Sequence, residues 1–141
     1  MISLLSGINS TASALDAERV RMDVISQNIA NVNTTRGPDG KPYQRQQVVF
    51  ASVLRDRQAG ETGAPQQIQI ARITKDNRPA RMVYMPGHPD ADDHGMVAVP
   101  DINIHEEMAD MISASRSYEA NLAVARNAHA MAMNALSIGK H

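Results

Sequence analysis

The chain has 141 residues, 43% of them hydrophobic but only 3% aromatic, and its formal net charge is −1 at pH 7. The even charge balance argues against a general nucleic-acid binding protein, and the shortage of large rings argues against the big core of a compact enzyme domain. The sequence contains no cysteine, which excludes disulfides and thiolate metal sites.

Residues 1–34 form the first predicted unit, a long amphipathic helix. Two interleaved series of residues recur every seven positions, and together they place one apolar stripe on one side of the helix. The apolar members of these series include Leu4, Ile8, Leu15, Met22, Ile25 and Ile29. The first residues lack the charged and apolar regions of a secretory signal, so we expect no cleavable signal peptide.

Residues 35–103 are predicted as a small β-hairpin unit rich in loops. Pro38-Asp39-Gly40 has the composition of a turn, and the β-branched residues within 43–53 predict a strand. The glycines and proline of 54–67 predict an exposed, mobile loop. Alternating isoleucines from Ile68 predict a second strand, to which Met82–Met85 are predicted to pair, and 86–100 is predicted as a loop.

Charges in this middle unit are unevenly distributed. From Arg36 to Arg81 there are nine Lys or Arg against four Asp or Glu, whereas from His88 to Asp110 there are seven Asp or Glu and no Lys or Arg. Two interpretations are open: either both flanks are solvated surfaces, or the basic flank of one subunit meets the acidic flank of the next.

Residues 104–141 form the third predicted unit, a second long helix. Ile104–Ile138 contain neither proline nor glycine, and Gly139 follows as a stop signal. Its stripe is built from Ala, Ser and Met, so backbones can approach closely but each residue buries little. The predicted fold is therefore mostly α, with the terminal helices paired antiparallel in a coiled-coil-like manner. The stripe includes Met108, Met111, Ser115, Tyr118, Leu122 and Leu136.

The segment His88–His94 is the one cluster with metal-ligand residue types. As a calcium loop it lacks the bidentate Glu, and as a zinc site it lacks a helical frame, so a rigid turn is the preferred interpretation. We predict no metal, no cofactor and no catalytic residue, because a nucleophile motif is also missing.

Two stretches together resemble the bacterial flagellar rod and hook protein family. Residues 26–34 read SQNIANVNT and match its N-terminal signature, and residues 111–121 read MISASRSYEAN and match its closing helix. Residues 87–92 and 107–111 narrow the resemblance to the proximal rod members of the flagellar basal body.

The resemblance implies a non-enzymatic subunit that is exported unfolded through the flagellar export apparatus and polymerised into the periplasmic rod. Its implied partners are further copies of itself, other rod proteins, and ring or adaptor proteins of the basal body. The implied assembly interface consists of the stripe residues named above for the two helices, together with Asn28, Asn31, Asn33, Thr34 and Asn121.

The side-chain chemistry of the asparagines and the threonine near the end of the first helix supports part of this interpretation. Asn28, Asn31 and Thr34 lie close to one helical face, where amides can bind the backbone of an adjoining segment. Asn33 suits either a left-handed conformation or a cap where the helix ends. The competing hypotheses are a helical adaptor or export partner outside any filament, and a small metal-dependent enzyme.

Overall fold

The computed structural model describes residues 2–53 and 67–138, with side chains for all of these except 2–6, 8, 52–53 and 67–69. Helix α1 spans Ile2–Ala30 and helix α2 spans Ile104–Ile138. Between them lie four strands, which are β1 (Gln46–Val53), β2 (Gln67–Lys75), β3 (Arg81–Tyr84) and β4 (Met96–Val99). Helix is the main secondary structure, as predicted.

Helix α1 ends at Ala30, four residues before the predicted end of the first unit at Thr34. The Asn31 backbone N–H and side-chain Nδ2 both donate to the Gln27 carbonyl, at 3.0 and 2.9 Å. The Thr34 hydroxyl then donates to Asn31 Oδ1 at 3.1 Å. The left-handed alternative for Asn33 is wrong, because every residue with positive φ in the described ranges is a glycine.

Helix α2 begins and ends where the sequence predicts. Asn103 is its N-cap: the His105 N–H donates to Asn103 Oδ1 at 3.1 Å, and Asn103 Nδ2 donates to Glu106 Oε1 at 3.2 Å. The cap satisfies a backbone donor that the first helical turn leaves free, and Glu106 holds the capping side chain in place.

The four strands form two separate antiparallel hairpins. Strand β1 pairs with β2 from Gln46↔Lys75 onward, with a bulge between Val49 and Phe50, and β3 pairs with β4. The predicted pairing of Met82–Met85 with the isoleucine strand is therefore wrong, because β3 pairs with β4 in a separate sheet. The prediction that 86–100 is a loop throughout is also wrong, since β4 lies within it. The predicted loop 54–67 lies outside the described residues, apart from Gln67, which begins β2.

The buried core is small and divided. One part lies where the end of α1 contacts the start of α2 and the β1–β2 hairpin, and the other lies around β4. Its apolar members are Ala17, Val24, Ile25 and Ala114 in the first part, and Val97, Val99 and Ile102 in the second. Within the described residues, neither helix is long and apolar enough to cross a membrane.

Candidate functional site

A buried polar cluster joins α1, α2 and the start of β1. Asn28, on the last turn of α1, is 1% exposed and makes four hydrogen bonds. Its Nδ2 donates to the Gln46 carbonyl at 2.8 Å and to Glu107 Oε2 at 3.0 Å. Its Oδ1 accepts from the Gln46 N–H at 2.9 Å and from the Tyr43 hydroxyl at 3.0 Å. The amide thus uses its full capacity of two donors and two acceptor lone pairs.

The prediction that an amide of α1 binds the backbone of an adjoining segment is confirmed for Asn28. Its side chain meets both the N–H and the carbonyl of Gln46, much as a neighbouring strand would. The Asn31 amide bonds within its own helix end. Asn28 therefore connects distant parts of the chain, whereas Asn31 ends a helix.

Glu107 is the second centre of the cluster, and it is also 1% exposed. Its carboxylate accepts from Asn28 and from Arg45 Nε, the latter at 2.6 Å. A buried carboxylate is costly unless a positive charge and hydrogen-bond donors compensate it, and here both are present. The pair ties the first turn of α2 to the segment that leads into β1.

Arg45 extends the cluster toward two more acids. Its terminal nitrogens lie 3.8 Å from Asp110 on α2 and 3.8 Å from Asp76 after β2. Arg21 of α1 also approaches Asp110, at 4.0 Å. One guanidinium thus contacts three acids, which its rigid fork of donors permits.

Two pKa shifts follow from this arrangement. Burial raises the pKa of the Tyr43 hydroxyl above its ordinary value of 10.0, and the nearby negative charge of Glu107 raises it further. The hydrogen bond from Arg78 to the Asp76 carboxylate is the main cause that lowers the pKa of Asp76 below its ordinary 3.8. Tyr43 is thereby kept as a hydrogen-bond donor, and Asp76 is kept as an anion.

A second link joins the segment after α1 to the loop His88–His94. Asp90 accepts a hydrogen bond from the Thr35 hydroxyl at 2.8 Å and pairs with Arg36. In the same loop, Asp92 Oδ1 accepts from the N–H groups of His94 and Met96, at 2.9 and 2.8 Å. Both acids thus take part in structural contacts, and among residues 2–53 and 67–138 no three His, Asp or Glu side chains are grouped as metal ligands.

Ion pairs within the chain join three arginines of the basic flank to acids of the acidic flank. Arg45 pairs with Glu107, Arg36 with Asp90, and Arg78 lies 3.7 Å from Asp101. The flanks are complementary, but these arginines meet acids of the same chain. Neither interpretation describes these three pairs, and for the other charges of the flanks both interpretations stay predictions.

The predicted interface residues differ widely in exposure. Ile25 is buried with Asn28, whereas Asn33, Met108 and Leu136 are exposed, and the last two have exposed fractions of 53% and 59%. Leu4 and Ile8 lie on α1, but their side chains are outside the described residues. The others are half-buried: Leu15, Met22, Ile29, Asn31, Thr34, Met111, Ser115, Tyr118, Asn121 and Leu122. Their role in assembly stays a prediction.

On α2 the buried positions are Glu107 and Ala114, each one residue before a member of the predicted series Met108 and Ser115. Neither Glu107 nor Arg45 was predicted from the sequence as a site residue. A carboxylate beside a stripe position of α2 does not by itself indicate that Glu107 is buried.

Comparison with known families identifies segments at both ends of the chain. Residues 8–38 match the family described as "Flagella basal body rod protein". Residues 94–138 match the family described as "Flagellar basal body rod FlgEFG protein C-terminal". The first segment includes Asn28, and the second includes Glu107, so the polar cluster is shared between the two matched ends.

Comparison with curated proteins gives relatives over nearly the full length. The chain is 43% identical to the flagellar basal-body rod protein FlgC of Borreliella burgdorferi, over 97% of this chain and 98% of that protein. It is 40% identical to FlgC of Bacillus subtilis, over 94% and 96% of the two chains. It is 37% identical to FlgC of Salmonella typhimurium, over 99% and 100%.

Proposed function

Because this chain belongs to the flagellar basal-body rod protein family, we propose that it is a structural subunit of the proximal rod, without catalytic activity, and that it polymerises through its two terminal helices. The observation that carries the proposal is the exposed apolar surface of the second half of α2. Val124, Met131, Met133, Leu136 and Ile138 are all more than half exposed. Val124, Met131 and Ile138 lie on one side of the helix and Met133 and Leu136 lie on another, and exposed apolar surfaces of this kind mark interaction sites.

The helix pair supplies a suitable frame for polymerisation. The contacts Asn28–Glu107 and Arg21–Asp110 advance in opposite directions along the two helices, which supports antiparallel, coiled-coil-like packing. Small residues such as Ala17 and Ala114 lie at the buried contact, so the helices approach closely but bury little area. Much of each helix surface is then left for neighbours.

The three predicted units have different roles in the proposed assembly. Residues 1–34 and 104–141 supply the inner-layer helices, and residues 35–103 form an outer segment attached to them. The polar cluster has the role of fixing that attachment, because Asn28 and Glu107 from the helices contact Gln46 and Arg45 from the middle. A polar contact of this type specifies one geometry where a purely apolar contact tolerates several.

The partners follow from the same proposal. The subunit contacts copies of itself, other rod proteins, and ring or adaptor proteins of the basal body. It reaches the periplasmic rod through the flagellar export apparatus, in an unfolded state. The implied polymer requires a heterologous contact, in which different surfaces of two copies meet, because such contacts build rings and helical tubes.

The test uses a strain in which this chain is the only copy of its kind. We expect Leu136→Glu to abolish swimming and to remove the chain from isolated basal bodies, because it introduces a charge on the exposed apolar surface. The matched control is Gln47→Glu, which adds the same charge at an exposed position of β1. Normal assembly of the Leu136 variant would contradict the proposal.

Deletion of residues 1–12 distinguishes the rod subunit from an adaptor. A rod subunit loses assembly when part of α1 is removed, whereas an adaptor bound through its middle segment keeps its partner. Recovery of the shortened chain in complex with a basal-body or export protein, without any incorporation of the full chain into basal bodies, would favour the adaptor.

A further inference from the structure

Each helix carries three exposed charged residues that alternate in sign. None of the six takes part in the ion pairs of the described residues. The α1 charge stripe reads negative, positive, negative, and the α2 charge stripe reads positive, negative, positive. The members of the first are Asp16, Arg19 and Asp23, and those of the second are Arg116, Glu119 and Arg126.

Helical geometry gathers each stripe on one side of its helix. At 100° per residue, the α1 charge stripe occupies an arc of about 60°, and the α2 charge stripe occupies an arc of about 80°. Both arcs lie away from the residues that meet inside the chain, which include the buried Val24 and Asn28 on α1 and Glu107 and Ala114 on α2. The two stripes therefore lie on opposite outer sides of the helix pair and cannot contact each other within one chain.

The two stripes match when the helices run antiparallel. Asp23 then lies beside Arg116, Arg19 beside Glu119, and Asp16 beside Arg126. At a rise of about 1.5 Å per residue, one common register brings all three pairs within about 3 Å along the axis. Arginine side chains are long enough to span such an offset. Copies that share one polarity in a tube present α1 and α2 to each other in this antiparallel sense.

The uncharged residues beside the two stripes are also complementary in size. Ala12, Ser26 and Ala30 are exposed on the side of α1 that carries its stripe, and all are small. On α2, the exposed Met108, Ile112 and Met133 lie on the side of its stripe. Flexible and branched apolar side chains on one surface can pack against small residues on the other.

We propose that the α1 charge stripe of one copy packs antiparallel against the α2 charge stripe of the next copy, as the lateral contact that repeats around the tube. This inference rests on the proposed function and adds its partner surface and register. Exposed ion pairs contribute little affinity, but three of them in alternating order specify alignment, because a shifted register brings like charges together. The apolar residues supply the attraction.

Cross-linking tests the register, and the natural absence of cysteine makes introduced pairs unambiguous. Basal bodies are isolated from cells that carry Asp23→Cys with Arg116→Cys, and are treated with a short bismaleimide. We expect a ladder of dimers and larger species in a denaturing gel. The matched control, Asp16→Cys with Arg116→Cys, separates the cysteines by about 12 Å along the axis in the proposed register, so it stays monomeric.

Charge reversal is the second test. Arg19→Glu or Glu119→Arg should each lower incorporation into basal bodies by roughly fivefold or more, because a central pair becomes repulsive at every lateral contact. The two changes in one chain, or the two single variants expressed together, should restore incorporation. Restoration by mixing requires that the pair joins different copies.

The outcomes separate this inference from the proposed function. If the chain is recovered in basal bodies but the Asp23–Arg116 pair gives no ladder, or the control pair gives one, the register is overturned and the rod function stands. Neutral single reversals would overturn it as well. If the unaltered chain is never recovered in basal bodies, the rod function itself is overturned.

Discussion

At the scale of single residues, Asn28 joins three segments through one side-chain amide. We expect Asn28→Ala to destabilise the folded chain by at least about 2 kcal/mol, because each buried polar group that loses its partner costs about 1–3 kcal/mol. Urea unfolding measures the change. Asn31→Ala is the matched control, since its Nδ2 bonds only within the helix end. Equal losses of unfolding free energy in the two variants would contradict the central position of Asn28.

Asp76 gives the chain a pH-dependent stability in acid. Its pKa in the folded state lies below the ordinary 3.8, mainly because Arg78 donates a hydrogen bond to its carboxylate. As pH falls, the unfolded chain takes up this proton first, so the stabilisation present above about pH 4 is lost as pH falls through the folded pKa.

We therefore expect the unfolding free energy of Asp76→Asn to depend less steeply on pH between about 4 and 2 than that of the unaltered chain. Chemical unfolding at several pH values measures the slopes. Asp93→Asn is the control, because Asp93 is exposed and lies outside the described ion pairs. An unchanged slope in the Asp76 variant would show that the Arg78 contact does not persist in solution.

Residue-level prediction from the sequence succeeded where local chemistry decides and failed where tertiary contacts decide. The amide of Asn28 lies on a helical face beside a chain exit, so its need for backbone partners could be read locally. Glu107 could not be distinguished from an ordinary acid of the first helical turn, because its burial depends on Arg45, which is 62 positions away. No local pattern encodes such a pair.

At the scale of elements, the turn before β4 depends on Gly95. Its φ is +74°, and a Cβ there would lie 2.9 Å from Tyr84 Cε2 and 3.1 Å from Pro86 Cβ. We expect Gly95→Ala to destabilise the fold by more than about 2 kcal/mol, since a positive φ alone costs an L-residue about 1–2 kcal/mol.

Gly40 provides the matched comparison for this turn. Its φ is also +74°, but a Cβ added there would meet no atom within 4 Å beyond its own chain neighbours. Gly40→Ala should therefore show only the conformational cost. Thermal or urea unfolding of both variants measures the difference, and a Gly40 variant as unstable as the Gly95 variant would contradict the role of the contacts with Tyr84 and Pro86.

The helices could be predicted from the sequence far better than the sheet. An unbroken run of strong helix formers, a capping Asn103 and a following Gly139 determine α2 locally. The pairing of β3 with β4 could not be predicted, because a run of four residues between Gly95 and Pro100 is too short to be distinguished from a loop. The predicted stripe of α2 also missed the buried positions by one residue, because a stripe of Ala, Ser and Met differs little in hydrophobicity from the rest of the helix.

At the scale of the whole molecule, the two halves of α2 differ in burial. The first half contains Glu107 and Ala114, both buried, whereas Val124, Met131 and Leu136 in the second half are exposed. We expect hydrogen exchange in a dilute monomer to be slow over 107–118 and fast over 124–138, because few buried contacts oppose opening there. Assembly should slow exchange over 124–138.

Hydrogen exchange monitored by mass spectrometry, on the free chain and on isolated basal bodies, measures both states. Residues 107–118 are the internal control, since the polar cluster holds them in either state. Uniformly slow exchange along α2 in the monomer would mean that the second half of α2 is stable without neighbouring subunits, and it would remove the main support for the proposed polymerisation.

The hydrogen bond between Asn28 and Glu107 joins residues 79 positions apart. Closing so long a loop costs conformational entropy before any contact compensates it, so this junction forms late in folding. A chain that leaves a channel N-terminus first can form α1 early, but Glu107 becomes available only after about three-quarters of the residues have left the channel. Under the proposed export of an unfolded chain, we therefore expect this junction to close only after both Asn28 and Glu107 have been delivered to the site of assembly.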